Sequence, residues 1–597
     1  MPRTHTCVFR DKDRDDSMGG WLVFREPKRF ITAECPVDVP AALAALDDAV
    51  GAGDYVAGYV AYEAALGLDQ AFRCQPPIEG LPLVWFAVYG SVLHVRDLPR
   101  ADGASRAEGD DDYRFSEWQP AITREEYVEA LDRIHGYIRA GDTYQVNFTH
   151  RLFADFEGDA FAFFANIYAA QRSARAAYVD TGDHAICSAS PELFFSLSGN
   201  RLVSRPMKGT AARGYTWGDD LIMQDRLAES AKDRAENIMI VDMIRNDMGK
   251  LAVPGSVNVA SCYDIERYST VFQMTSTVES EWEASVSDVM QSLFPCASVT
   301  GAPKFRSMEI IRDLEGDARG IYTGCIGYIT PDRHAEFNVA IRTVVIDRRS
   351  GRASYGVGGG IVWDSDPDSE FEECRTKARV LNERMHSFDL IETMRWDPDH
   401  GFFLFEEHMQ RLFQSAAYFD FEFDEDQVQS VLRKVCDQLP REACRVRTLM
   451  GERGDVRVEY GPLCESQGPV SLGLAAVPVD KTVRYLYHKT SHREVYDAAR
   501  ASRPDCDDVL LWNEDGQLTE STFANVVIEK NGERLTPPVS SGLLNGTFRS
   551  HLVDSGKIRE AVLTRDDLWS ADNVFLINSV REWMEVRMAD ATPDSAG

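Results

Sequence analysis

Two acidic pairs in this sequence have a spacing that suits metal chemistry. In "DRLAESAKDRAENIMIVDMIRNDMGKLA" Asp233 and Glu236 lie three residues apart. In "SDPDSEFEECRTKARVLNERM" Glu370 and Glu373 repeat that spacing, with Lys377 one turn further along. On a helix, residues three apart share a face. Taken singly, either pair reads as a solvated helix face. If the two faces oppose one another, four carboxylates share a pocket and raise each other's pKa values. A divalent cation removes that penalty, and Mg²⁺ fits best because it prefers oxygen ligands and keeps waters and substrate oxygens in its shell.

A lysine adds a second kind of chemistry. Lys208 lies in "SRPMKGTAARG", read as a turn held between Pro206 and Gly209. Between the acidic helices the chain supplies anion-binding material. "SVTGAPK" (298–304), beginning at Ser298, offers turn N–H groups. Arg342 in "FNVAIRTVV" reads as a guanidinium in an apolar strand, costly if unpaired. Gly358, Gly359 and Gly360 in "YGVGGGIVWDS" permit close backbone approach to a ligand. This glycine run lacks the G-x-G-x-x-G spacing of a dinucleotide site.

A second constellation lies further on. "YHKTSHREVYDAA" carries Lys489, "LTESTFANVVI" Glu520, "GLLNGTFRS" Gly546 and Thr547, and "FEEHMQRLFQSAAYF" Arg411. Each alone reads as a surface group. Together they are what pyridoxal phosphate requires: a lysine for the Schiff base, an acid for the pyridine nitrogen, and a basic group with a glycine turn for the phosphate.

These residues must be positioned by a chain too long for one core. Its 597 residues predict two or more domains. The spacing predicts a helix over "TREEYVEALDRIHGYIRAGD", a strand over "TYQVNFTHRLFADF" and one long amphipathic helix over 225–252. A further helix is capped by Asp366 with Pro367 at its first position. "RADGASRAEGDDDYR" (100–114) reads as a surface loop. The texture changes near 385–388, giving 1–120 and 121–385 as two parts of a first fold and 386–597 as a second domain.

The net charge of −32 argues against nucleic acid and anionic membrane surfaces as partners. Twelve singly scattered cysteines suggest reduced thiols. The N-terminus has no apolar core of signal-peptide type and no apolar run reaches membrane-spanning length. A cytoplasmic protein is expected.

Seven segments, "YQVNFT", "SPELFF", "PMKGT", "RAENIMIVDMIRND", "TGAPK", "AIRTVV" and "GGGIVWDSDPDSEFEECRTKA", occur in this order within 1–385. They resemble the chorismate-utilising enzymes, an α/β (α+β) fold with a large two-sheet core. Anthranilate synthases resemble this sequence but carry alanine in the turn where Lys208 stands; aminodeoxychorismate synthases carry lysine there. The resemblance implies that Lys208 attacks the chorismate ring and that ammonia then displaces it. It implies Glu236 and Glu373 as principal Mg²⁺ ligands, with Asp233 and Glu370 in support. Arg342 and Gly358–Gly360 would hold substrate carboxylate, and Ser298 and Lys377 would line the site. Gln145 suits an ammonia user, since isochorismate-forming relatives have lysine there. Gln273 stands where anthranilate synthases have histidine.

Residues 386–597 resemble the fold-type IV pyridoxal phosphate enzymes, which include branched-chain and D-amino-acid aminotransferases and aminodeoxychorismate lyase. Lys489, Glu520 and Arg411 fall on the Schiff-base, pyridinium and phosphate positions, with Gly546 and Thr547 at the phosphate and Ser579 adding a hydroxyl. The chain enters at "FDLIETM", without the stretch that usually precedes it, so the small subdomain is expected to be trimmed or completed by the first half. The expectation is a bifunctional enzyme making 4-aminobenzoate, for folate, from chorismate and ammonia. No amidotransferase nucleophile motif is present, so ammonia is expected from a separate glutamine amidotransferase subunit or free ammonium. A homodimer through the second domain is expected. The alternatives are an anthranilate synthase component I-like enzyme fused to a branched-chain or D-amino-acid aminotransferase-like domain, and a non-catalytic protein on the same folds.

Overall fold

The structure is a computed structural model that describes residues 5–11, 20–99, 112–381, 388–463 and 468–589. Residues 100–111 of the expected acidic loop lie outside the described residues, as does the expected boundary at 385–387. The chain divides into two units, Met1–Ala212 with Gln224–Met385, and Arg213–Met223 with His386–Gly597.

In the first unit two large antiparallel sheets carry the site. In one, strand Gln145–Gly158 pairs along strand Arg352–Ile361, from Asp155↔Arg352 to Val146↔Ile361. In the other, strand Met207–Ala212 pairs with Val271–Glu281. Residues before 120 feed both sheets. Cys7–Asp11 and Gly20–Phe24 join the first, whereas Arg29–Ala33, Tyr55–Val60 and Val84–Tyr89 join the second. The 1–120 and 121–385 segments therefore build the same two sheets.

The apolar faces are covered by helices whose pattern the sequence announces. Arg124–Ala140 starts at a capping box, where the Thr123 hydroxyl accepts from the Glu126 N–H and the Glu126 carboxylate accepts from the Thr123 N–H. Tyr127, Leu131 and Ile134 pack beneath it. The long helix expected over 225–252 is instead two, Trp217–Glu229 and Ala231–Gly249. Ser230 breaks it, its hydroxyl accepting from the Asp233 N–H as an N-cap. The helix after Asp366 starts as expected at Pro367, the Asp366 carboxylate accepting from the Ser369 N–H, and ends at Ala378, short of the segment read as helical.

The second unit has a four-stranded sheet around Leu390–Asp397 and Cys444–Met450, and an eight-stranded mixed sheet. The segment Arg213–Met223 belongs to this unit. The Tyr418 hydroxyl donates to the Gly214 carbonyl at 2.8 Å, Arg213 lies over the Tyr418 ring, and Tyr215 stacks on Tyr487 at 4.9 Å. The sequence reading placed this segment in the first domain. Among the described residues no helix is long and apolar enough to cross a membrane.

Candidate active sites

The first site is a cavity of about 360 Å³ in the first unit. Lys208 enters it from strand Met207–Ala212 and not from a free turn. The pairing with Val271–Glu281 slips between Met207 and Thr210, and Gly209 within that bulge has φ +98°. A Cβ on Gly209 would sit 2.9 Å from the Asp233 Cβ, so glycine lets the lysine strand lie against the acidic helix. Asn237 of that helix donates to the Lys208 carbonyl at 3.3 Å.

The glycine run makes room for side chains. A Cβ on Gly360 would meet the Lys208 Nζ at 2.7 Å and the Gln145 Nε2 at 2.5 Å; one on Gly359 would meet a Glu370 oxygen at 3.0 Å. Gln145 is fully buried, and neither its Nε2 nor its Oε1 has a partner. It stands beside Lys208 rather than in the cavity wall. Asp233, Glu236, Glu370, Glu373, Arg342, Ser298 and Lys377 line the wall with the three glycines.

The four carboxylates share this cavity but are not equivalent. Burial raises Glu236 and Glu370, and the Ser365 hydroxyl donates to Glu370 at 2.8 Å. The Lys377 ammonium, 2.8 Å away, holds Glu373 low and also donates to the Gly358 carbonyl. Among the described residues no three carboxylate, imidazole or thiol groups stand close enough to hold a metal as they are. Their chemistry still suits Mg²⁺, whose shell is typically completed by waters and substrate oxygens.

Arg342 is not a strand residue. It sits in the left-handed region at φ 49°, between strands Ala335–Val339 and Thr343–Asp347, and its guanidinium donates to the Gln171 side-chain oxygen. The sequence reading missed Glu192, in "SPELFF". It is buried, accepts from the Ser298 hydroxyl at 2.5 Å, and burial pushes it up to about 7. Such a carboxyl gives and takes a proton near neutrality. Burial lowers Lys208, while Glu236 and Glu192 pull it back up. Gln273 also lines the cavity.

The second site is a cavity of about 340 Å³ in the second unit, lined by Lys489, Glu520, Arg411, Gly546, Thr547 and Ser579. Burial and the nearby Arg411 charge bring Lys489 down to about 8. Glu520 lies on strand Leu518–Ser521, accepting from the Tyr496 hydroxyl at 2.8 Å, the Leu544 N–H at 2.9 Å and the Asn525 amide at 3.2 Å. Burial raises it to about 7. Helix Thr547–Asp554 opens at Gly546 without a side-chain cap, so its first N–H groups are available to an anion.

Arg411 is less free than expected. Its Nε and one terminal nitrogen fork onto the buried Glu392 at 2.9 and 2.6 Å, leaving NH1 against the Asn545 carbonyl at 3.4 Å. Glu392 is held at about 2 against the effect of burial by Arg411 and His408. Burial keeps His408 neutral, so its Nδ1–H donates to Glu392 at 2.6 Å. Its Nε2 then accepts from the Ser579 or Thr547 hydroxyl, at 3.0 and 3.2 Å. Glu392, His408, Tyr496 and Asn525 were not anticipated. Arg445, Arg447 and Arg581 also line this cavity. The donor set fits pyridoxal phosphate: a depressed lysine, a buried acid, and hydroxyls and N–H groups gathered at a helix start.

The family described as chorismate binding enzyme matches residues 36–383, and the family described as class IV amino-transferase matches residues 389–589. Aminodeoxychorismate synthase component 1 of Salmonella typhimurium is 39% identical over 270 residues, 45% of this chain and 59% of that protein. Anthranilate synthase component 1 of Thermus thermophilus is 38% identical over 267 residues, 44% of this chain and 57% of that one. The chain thus spans about three fifths of the length of these curated relatives. Anthranilate synthase component I from Streptococcus pneumoniae shares the fold at TM-score 0.54 and 24% identity, over 62% of this chain and 93% of that one.

Proposed function

The chain belongs to the chorismate-binding enzymes, and from that premise we propose that its first unit aminates chorismate to 4-amino-4-deoxychorismate. The observation that carries this reading is Lys208, whose amine lines the carboxylate cavity against Gly360. A lysine amine attacks only after losing its proton, and burial lowers Lys208 toward that state. Lys208 adds to the substrate ring as the ring hydroxyl leaves. Ammonia then displaces the lysine, leaving the new amino group at C4 and releasing one water overall. Arg342 and the backbone at Gly358–Gly360 hold a substrate carboxylate, and Ser298 and Lys377 border it. Buried Gln145, with its amide unpartnered beside Lys208, offers ammonia a donor and an acceptor. Glu236 and Glu373, supported by Asp233 and Glu370, would hold Mg²⁺, which supplies positive charge to the substrate's oxygens.

The second unit is proposed to release pyruvate from that product and leave 4-aminobenzoate, acting as the 4-amino-4-deoxychorismate lyase. Pyridoxal phosphate would supply an electron sink there. Lys489 would hold it, Glu520 would keep its ring nitrogen protonated, and Thr547, Ser579 and the free edge of Arg411 would meet its phosphate. Arg445, Arg447 and Arg581 suit a substrate bearing two carboxylates. Ammonia comes from a separate amidotransferase subunit or from ammonium, the assembly is a homodimer through the second unit, and the setting is cytoplasmic and serves folate synthesis. The deciding experiment supplies chorismate, Mg²⁺, ammonium and pyridoxal phosphate to the purified protein. 4-Aminobenzoate is the expected product; anthranilate in its place refutes the reading.

A further inference from the structure

A third cavity, of about 160 Å³, lies in the first unit and shares no lining residue with the chorismate cavity. Its floor is one face of four adjacent strands, where the register sets Phe153 opposite Ser354, Ser354 opposite Val345, and Asp347 opposite both Arg352 and His184. Ile78, Leu81 and Ile321 close it from above. Its volume is far beyond what one water needs, about 15 Å³.

Arg151 on this floor has no role in either proposed reaction. It is only 8% exposed, its Nε has no hydrogen-bond partner, and its one hydrogen bond among the described residues is from NH1 to the Arg319 carbonyl at 2.5 Å. Glu63, the carboxylate that acts most on it, is committed elsewhere, accepting from the Arg319 and Gly320 N–H groups at 2.7 and 2.9 Å. A buried guanidinium in this condition lacks an acceptor.

The remaining groups fix the ligand's charge. Arg349 reaches the loop at Gly80, and Arg352 lies 3.9 Å over the Phe153 ring. The carboxylates in the lining are Asp347, 3.9 Å from the Arg349 Nε, and the exposed Glu79. Burial keeps His184 below its usual range, hence neutral at pH 7. Among the residues that line the cavity, three arginines stand against two carboxylates beside an apolar wall, while Glu63, Asp317 and Glu315 act on Arg151 from outside the lining.

We propose that this cavity binds a small monocarboxylate with an apolar body, its carboxylate on Arg151 and the arginine rim and its body against Phe153, Val345 and Ile321. The site is independent of what either active site does, because it is read as binding alone.

Equilibrium dialysis of radiolabelled benzoate against the full chain tests it. The comparison is with the rim variant Arg349→Gln/Arg352→Gln, which leaves both catalytic cavities intact. The wild type should show one saturable site more than the variant, with a dissociation constant below about 1 mM. A tenfold excess of benzamide, isosteric but uncharged, should not displace benzoate from it. Arg151→Gln should weaken the same site at least tenfold; if that buried substitution fails to fold, the rim variant decides. Identical saturable binding in the wild type and the rim variant, or equal displacement by benzamide, overturns the proposal.

Discussion

Each unit buries a candidate nucleophilic lysine in a cavity of similar size, yet the charges around the two differ. Lys208 faces Glu236, Glu192 and Glu373, which oppose the effect of burial on its proton, with Lys377 reinforcing it. Lys489 faces Arg411 and Arg493, which reinforce burial, with Glu392 and Glu520 opposing them, and it falls to about 8. An acidic wall suits a cavity meant to take a cation together with its substrate. A basic wall suits an anionic cofactor and a dicarboxylate. The same side chain is thus made nucleophilic by burial in both, and its neighbours decide how far.

Exchanging either lysine for alanine breaks the comparison most severely. Lys208→Ala should abolish 4-aminobenzoate formation from chorismate, by at least about 10³-fold, and leave the second unit's conversion of supplied 4-amino-4-deoxychorismate unchanged. Lys489→Ala should do the reverse, so that 4-amino-4-deoxychorismate accumulates. If Lys208→Ala retains full amination, its covalent role falls. Next in size are the carboxylates. Glu236→Gln or Glu373→Gln should cost amination roughly 10–100-fold, with partial rescue by excess Mg²⁺. EDTA should silence the first activity and spare the second; an amination rate untouched by EDTA removes the metal from the scheme.

A pH experiment sharpens the contrast. The folded pKa of Lys489, about 8, lies below its unfolded value of about 10.4. Below pH 8 both states are protonated and the full cost of the buried ammonium is present. Between 8 and 10.4 the folded state binds fewer protons, so that cost fades as pH rises. Lys489→Met in cofactor-free protein should therefore raise the melting temperature by roughly a few degrees at pH 7, with the gain disappearing toward pH 10. Lys208→Met should gain less, because its carboxylate neighbours partly offset burial; calorimetric scans across pH that show equal gains contradict the contrast. The smallest effect is expected from Ser230→Ala. Removing this N-cap should cost about 1 kcal/mol in denaturant unfolding and weaken Mg²⁺ dependence slightly, because the same helix carries Asp233 and Glu236.

The residues proposed to touch substrate were legible because their types are unusual where they stand: a lysine beside glycine, three glycines together, acidic residues at helical spacing. The structure brings all of these into the two cavities except Gln145, which stands behind the first. The supporting residues were not legible. Glu192, Glu392 and His408 are single polar residues whose burial is created by distant segments, and in a linear sequence they look like surface groups. Arg342 was misread as a strand residue because its left-handed backbone leaves no mark in an apolar run. The break at Ser230 was readable in principle, since serine three residues before Asp233 is a capping signal; the strength of the flanking helical pattern hid it.

The segment Arg213–Met223 has a consequence for how this protein can be divided. The chain leaves its first unit just after the strand that carries Lys208, supplies Gly214 and Tyr215 to the second, and returns before Asp233. A gene truncated to begin at residue 386 thus encodes an orphan: the Tyr418 hydroxyl loses the Gly214 carbonyl, and His488 loses the Tyr215 carbonyl that lies 3.1 Å from its Nε2. The second unit is therefore complete only with the strip Arg213–Met223 restored to it.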